Sequence, residues 1–327
     1  MLTSNEAQSR AEEIVARAIK AGADAADAVF HADTATEASV RLGALEDVHR
    51  AESADLSLRV FVGQRTASVS TSDFAALDDL AARAVAMARE APEDKYAGLA
   101  PAERLLHGAA PDLDLNDRTE VSPEQLKELA LAAEDAARAV DGVTNSQGGG
   151  ASASRAVVAL VTSHGFAGSY GVSSHAVSVG VLAGTGGGME RDSAWHSARH
   201  FRDVEDAGVV GTRAGTRAVA RVNPGKLASG PMPVVFDPRA GATLLGHLVG
   251  AISGSAIARR TSFLLDALGS AVFAPGVTIR DDPQRPRGLG SRPFDGEGLP
   301  VGPVTIVDRG MLETWLMESA SARQLGL

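Results

Sequence analysis

Pro233-Val-Val-Phe-Asp-Pro-Arg-Ala-Gly-Ala-Thr-Leu-Leu-Gly-His-Leu-Val-Gly-Ala-Ile-Ser-Gly254, running on through Ala256-Ile-Ala-Arg-Arg-Thr-Ser-Phe-Leu-Leu-Asp266, is the stretch that decides how this chain is read. Its apolar start and Asp-Pro junction predict a short strand, then an apolar helix punctuated by glycine. Small residues stand at Gly246, Gly250, Ala251 and Gly254, and the helix holds one imidazole, His247.

A length of 327 residues allows two or three domains and a sizeable core. No apolar run reaches the roughly 18 residues needed to span a bilayer, so no membrane association is expected. The segment Thr3 to Arg17 is charged and amphipathic. That differs from a secretory leader, and a cytoplasmic location is the expectation. With no cysteine, the chain has no disulfide or thiolate metal site, which suits a reducing compartment. The net charge of −10 argues against a nucleic-acid binder.

Apolar residues recur at helical spacing over residues 4 to 21, with Gly22 as the expected C-cap. Five short alternating runs follow: Ala28 to His31, Glu37 to Leu42, Leu45 to Ala51, Leu56 to Val62 and Arg65 to Ser70. Asp73 is expected to cap a second helix that buries Leu77, Leu80, Ala81, Ala84, Val85 and Met87. Residues 1–91 thus read as an α-β-β-β-β-β-α unit. Residues 92–228 read as a connecting segment, a helix started by Ser122-Pro123, an antiparallel sheet region and a helix from Val204 to about Val222. Residues 229–327 read as the start of a β-rich domain. The close at Gln324-Leu325-Gly326-Leu327 shows no clear terminal cap, and the expectation is that this last domain continues. The fold class is α+β, with antiparallel sheets and flanking helices.

Each chemical motif has a plain structural reading beside it. Gly184-Thr-Gly-Gly-Gly188 resembles a phosphate loop only if a helix follows, and the polar alternation after Met189 predicts a hairpin instead. His196 and His200 suit a metal only on a helix; on a strand they stand roughly 13 Å apart. Ser163-His164 and Ser173-Ser174-His175 lack the turn that presents a serine nucleophile. Asp281-Asp282-Pro283 and Pro293-Phe-Asp-Gly-Glu-Gly298 are candidate acid-base or cation sites, but turn chemistry explains them more simply.

Taken in order, Gly22-Ala-Asp-Ala-Ala26, Phe236 to Leu268, Val277-Thr-Ile-Arg-Asp-Asp-Pro283, Leu289-Gly-Ser-Arg-Pro-Phe-Asp-Gly-Glu-Gly298 and Ser319-Ala-Ser-Ala-Arg323 resemble the TldD/PmbA peptidase family. The resemblance implies an α+β amino-terminal region and a barrel-like carboxy-terminal domain. It also implies pairing of TldD with PmbA (TldE) around a chamber that processes unfolded peptides, including peptide-antibiotic precursors and antitoxins. Metal-binding members carry His-Glu-x-x-x-His on the helix. With Leu244-Leu245 on the preceding aliphatics, Gly246, His247 and Ala251 fall where His, Glu and His stand. The resemblance therefore implies a subunit without a metal of its own, active only beside a TldD-like partner that holds zinc. Two rivals stand beside this reading. One is a regulatory protein acting on DNA gyrase-related toxin systems without proteolysis; the other is an independent hydrolase using His196, His200 or His247.

Overall fold

Helix α1 (Ser4–Lys20) begins at a reciprocal cap in which Thr3 and Glu6 satisfy each other's backbone amides. The computed structural model describes residues 3–327. The buried stripe of α1 is Ala7, Ala11, Ile14, Val15 and Ala18, as its spacing predicts. Gly22, at φ 103°, turns the chain into the sheet.

Three strands follow instead of the expected five: β1 (Ala25–Arg41), β2 (Ala44–Val62) and β3 (Arg65–Thr71). The runs fuse because nothing in Asp33-Thr-Ala-Thr-Glu37 or Glu52-Ser-Ala-Asp55 breaks an extended chain. There is no Gly or Pro, and alternation is simply carried by polar residues. Helix α2 (Leu77–Glu90) starts at Ala76 without a side-chain cap. Asp73, read as that cap, instead closes a turn by accepting the Ala75 amide at 2.9 Å. Met87, read as part of the buried stripe of α2, is 46% exposed, and Ala88 takes the inward position.

An irregular segment leads to α3 (Pro123–Arg138), capped by Ser122 and Gln125. Strands β4 (Val143–Thr162), β5 (Ala167–Ala183) and β6 (Glu190–Ala198) then precede α4 (Ala207–Ala220). All six strands form one antiparallel sheet in the order β3-β2-β1-β4-β5-β6. The division at 91/92 therefore separates stretches of sequence that share a sheet. The mixed α+β class with antiparallel strands and flanking helices is what the chain adopts.

One face of the sheet carries the helices. Against it α1 and α2 bury Phe30, Leu56, Leu58, Val60, Val157 and Ala159. Further along the same face, α3 covers Ala38, Val40 and Ala151, and α3 with α4 covers Val177, Val179 and Val181. Each fully buried large side chain in these three clusters contributes roughly 1.5–3 kcal/mol. The opposite face carries Leu160 with Phe166 and Phe294.

Gly148-Gly149-Gly150 lies inside β4. A Cβ on Gly149 would stand 2.5 Å from the Ala130 carbonyl, so glycine is what lets α3 sit directly on the strand.

Residues beyond α4 carry α5 (Pro238–Ala251), α6 (Gly254–Ala258), a three-stranded sheet of β7 (Ile279–Asp281), β8 (Val304–Asp308) and β9 (Met311–Leu312), and α7 (Ser319–Leu325). Gly326, left-handed at φ 72°, ends α7; this is the cap the sequence reading missed. No helix among the described residues is long and apolar enough to cross a membrane.

Candidate functional site

The strand expected before α5 does not form. Residues 231–237 are irregular, because Pro231 and Pro233 remove amide donors and no neighbouring strand among the described residues offers acceptors. Val234, Val235 and Phe236 are left 65%, 95% and 54% exposed. Helix α5 itself forms as the spacing predicts, with Asp237 capping it and Pro238 at its first position.

Helix α5 buries only Leu248 and Ala251; Leu244, Leu245 and Val249 remain exposed. Gly246 and His247 are exposed too, while Ala251 ends the helix on its inner side. A Cβ on Gly246 or Gly250 would meet nothing within 4 Å, whereas Gly254 packs against Met317 and Ser321. Two of the three motif positions therefore lie uncovered on an apolar helix and the third is buried, and only His247 carries a donor able to bind a metal.

The start of α5 is held to the sheet by charge. Asp192 on β6 is buried and takes Arg239 of α5 at 2.8 Å and Arg221, at the end of α4, at 2.7 Å. Burial pushes its carboxyl up, but Arg239, the Ser193 amide and Arg221 outweigh that and bring it down to about 2. A depressed carboxylate stabilises the fold above its unfolded pKa of about 4, and the contribution is lost as pH falls toward 2. The expected size is about 2 kcal/mol. Urea midpoints between about pH 2 and 6 check it: Asp192→Asn should be less stable near neutrality and flatten the profile relative to the native chain. An unchanged profile would exclude the clasp.

The remaining candidates scatter. His196 lies on β6 and accepts the Glu205 amide at 3.0 Å. His200 lies beyond the strand end and contacts the Asp114 carbonyl at 3.0 Å. Ser163 accepts the Ala26 amide, and His164 contacts the Ala100 carbonyl, both at 3.0 Å. Gly184–Gly188 links β5 to β6, so the hairpin reading holds. Asp282 and Asp295 accept amides within their own turns, and Glu297 holds the first turn of α7 through Ser319. Among the described residues no group of three or more His, Cys, Asp or Glu side chains is placed to hold a metal ion.

One cluster forms around a residue that carried no sequence signal. Asp117, in the irregular segment before α3, is buried and accepts the Thr119 amide, the Thr119 hydroxyl and the Phe201 amide at 2.9, 2.7 and 2.8 Å. Burial opposes its charge, but these donors and His200 hold its carboxyl far below the usual range. His175 on β5 stands 3.5 Å from it, stacked edge-on against Phe201. Of the Ser173-Ser174-His175 motif, the Ser173 hydroxyl donates to the Arg199 carbonyl at 2.6 Å, so it does not act on His175.

Three family models match in chain order: PmbA/TldA metallopeptidase domain 1 over residues 26–88, its central domain over 116–222 and its C-terminal domain over 229–327. Metalloprotease PmbA of Escherichia coli O157:H7 is 36% identical over 322 residues, spanning 97% of this chain and 71% of that protein. The crystal structure of a proposed modulator of DNA gyrase from Bacteroides thetaiotaomicron matches all of this chain and 75% of that one, with a TM-score of 0.93 at 25% identity. TldE from Thermococcus kodakarensis shares the fold, with a TM-score of 0.79 at 18% identity over 97% of this chain and 72% of that one. The chain belongs to the PmbA/TldD family of metallopeptidases.

Proposed function

We propose that this chain is the non-metal-binding subunit of a TldD/TldE-type heterodimeric metalloprotease that processes or degrades unfolded peptides, including peptide-antibiotic precursors and antitoxins. The observation that carries the reading is α5, which leaves Gly246 and His247 exposed on an otherwise apolar surface and buries Ala251 on its inner side. Zinc-dependent hydrolysis needs about three protein ligands and a carboxylate to take the water's proton. Glycine and alanine offer neither, and His247 stands alone. The donor set does not fit zinc, so no catalytic step is assigned to this chain.

Its contribution is shape. Strand β3 pairs only with Leu56–Val62 of β2, so the edge of β2 from Ala44 to Asp55 keeps its outward amides and carbonyls free. An extended peptide adding to such an edge is held by backbone groups, which suits substrates of varied sequence. The exposed side chains Phe236, Leu244, Leu245 and Val249 supply the apolar surface that a partner subunit would cover.

Affinity capture of the tagged chain from its own cell is the test. The expected result is co-purification of a TldD-like subunit in equimolar amount. A chain that remains monomeric beside an abundant TldD-like protein would refute the assignment.

A further inference from the structure

The helix-covered face of the sheet changes character in its middle. Along β1 the inward positions read Ala26, Ala28, Phe30 and Ala32, then Thr34 and Thr36, then Ala38 and Val40. The apolar ends lie under α1–α2 and under α3, and the two threonines fall in the gap between them. Register extends this polar row across the sheet. Thr36 faces Arg50 on β2 and Ala153 on β4, Ala153 faces His175 on β5, and Thr34 faces Arg155. The segment before α3 closes the gap from above, through Thr119. Together these residues line a cavity of about 300 Å³.

The lining is unusual in what it leaves unpaired. Arg155 is half-buried, and its one hydrogen bond among the described residues runs from Nη2 to the Thr119 carbonyl at 2.7 Å. None of the ion pairs among the described residues includes it, although Arg50 at the rim is paired with Glu52 at 2.8 Å. His175 is 2% exposed, and neither ring nitrogen has a hydrogen-bond partner; its 3.5 Å approach to Asp117 is long for a hydrogen bond. A buried imidazole without partners costs free energy unless something enters to meet it. Glu120, exposed at the mouth, is the one carboxylate in the lining.

We propose that this gap binds a small oxyanion, carboxylate or phosphate. Arg155 supplies the charge and the forked donors. Thr34, Thr36 and Thr119 supply hydroxyls, and His175 supplies the N–H at the buried end. Burial, opposed by Asp117 and reinforced by Arg155 and His200, holds the His175 pKa below its ordinary value, so the free site carries a neutral ring. A bound anion offsets the Arg155 charge and moves that titration upward. None of the lining residues comes from α5.

Calorimetric titration of the purified chain at low ionic strength, with inorganic phosphate and separately with N-acetyl-glycylglycine, tests the proposal. At least one anion should bind saturably with one site per chain; which of them binds assigns the source, and amide-capped dipeptide should give no heat. Arg155→Gln should weaken binding roughly tenfold, the loss expected for one charged hydrogen-bonding partner. Thr36→Val, which leaves every charge in place, should weaken it less. Saturation should shift the His175 ring resonances and raise its titration midpoint. Absence of binding by both anions, undiminished binding in both variants, or a His175 ring indifferent to saturation would each overturn the assignment.

Discussion

Gly211→Ala is expected to destabilise the chain by about 3 kcal/mol, and Gly211→Val to abolish cooperative unfolding altogether. The cause is the crossing of α3 and α4. A Cβ on Gly211 would stand 2.2 Å from the Ala133 carbonyl and 2.9 Å from the Ala136 Cβ. One turn on, a Cβ on Gly215 would stand 2.6 Å from Val140 and 2.7 Å from the Ala137 carbonyl. Backbone atoms cannot yield as a side-chain tip does, so the helices must separate and uncover Val177, Val179 and Val181. The sign is opposite to helix propensity, since glycine to alanine in an open helix gains about 1 kcal/mol. Gly208, in the same helix, is the control. Its Cβ would meet only the flexible Asp206 carboxylate at 3.0 Å, so Gly208→Ala should leave stability unchanged or slightly raised. Thermal and urea unfolding of the three variants decide the matter, and equal effects at 208 and 211 would exclude the close crossing.

Glu134→Ala should cost about as much, roughly 3 kcal/mol, and Glu134→Gln about half of that. Glu134 is fully buried on α3, beneath the tight turn between β1 and β2. Its carboxylate accepts the Leu42 and Gly43 amides at 2.8 and 2.9 Å and the Ser146 hydroxyl. That turn places Leu42 and Gly43 at φ 51° and 78°, a conformation its own chain would not hold alone. Burial pushes the carboxyl up, but Ser146 and the two amides outweigh it and leave the group below its ordinary pKa. Its stabilisation is therefore present at neutral pH and lost on acidification below the usual carboxylate range. Hydrogen exchange at Leu42 and Gly43 checks the mechanism. Both amides should lose protection in Glu134→Ala before global unfolding does.

Glu134 also shows where the sequence was legible and where it was not. Helices α1, α3, α4 and α5 could be read because apolar spacing, caps and proline act within a few residues. Strand ends failed where the chain had no breaker to mark them, so five runs became three strands. The strand before α5 failed for the opposite reason: Val234, Val235 and Phe236 have strand-forming side chains but no strand to pair with among the described residues. Asp117 and Glu134 gave no signal, since a buried carboxylate is defined by donors that lie far away in sequence. Glu134 meets Leu42 across 92 positions and Asp117 meets Phe201 across 84. Gly246, His247 and Ala251 gained their meaning from the resemblance alone; helical geometry then left Gly246 and His247 uncovered and turned Ala251 inward.

As the subunit proposed above, this chain would serve a peptidase without holding its metal. Zinc content and peptide hydrolysis, measured on this chain, on a TldD-like subunit and on the two together, with and without chelator, test it most directly. No stoichiometric zinc and no cleavage are expected for this chain alone, and chelator-sensitive cleavage is expected for the pair. One tightly held zinc per chain, with cleavage in the absence of any partner, would contradict it.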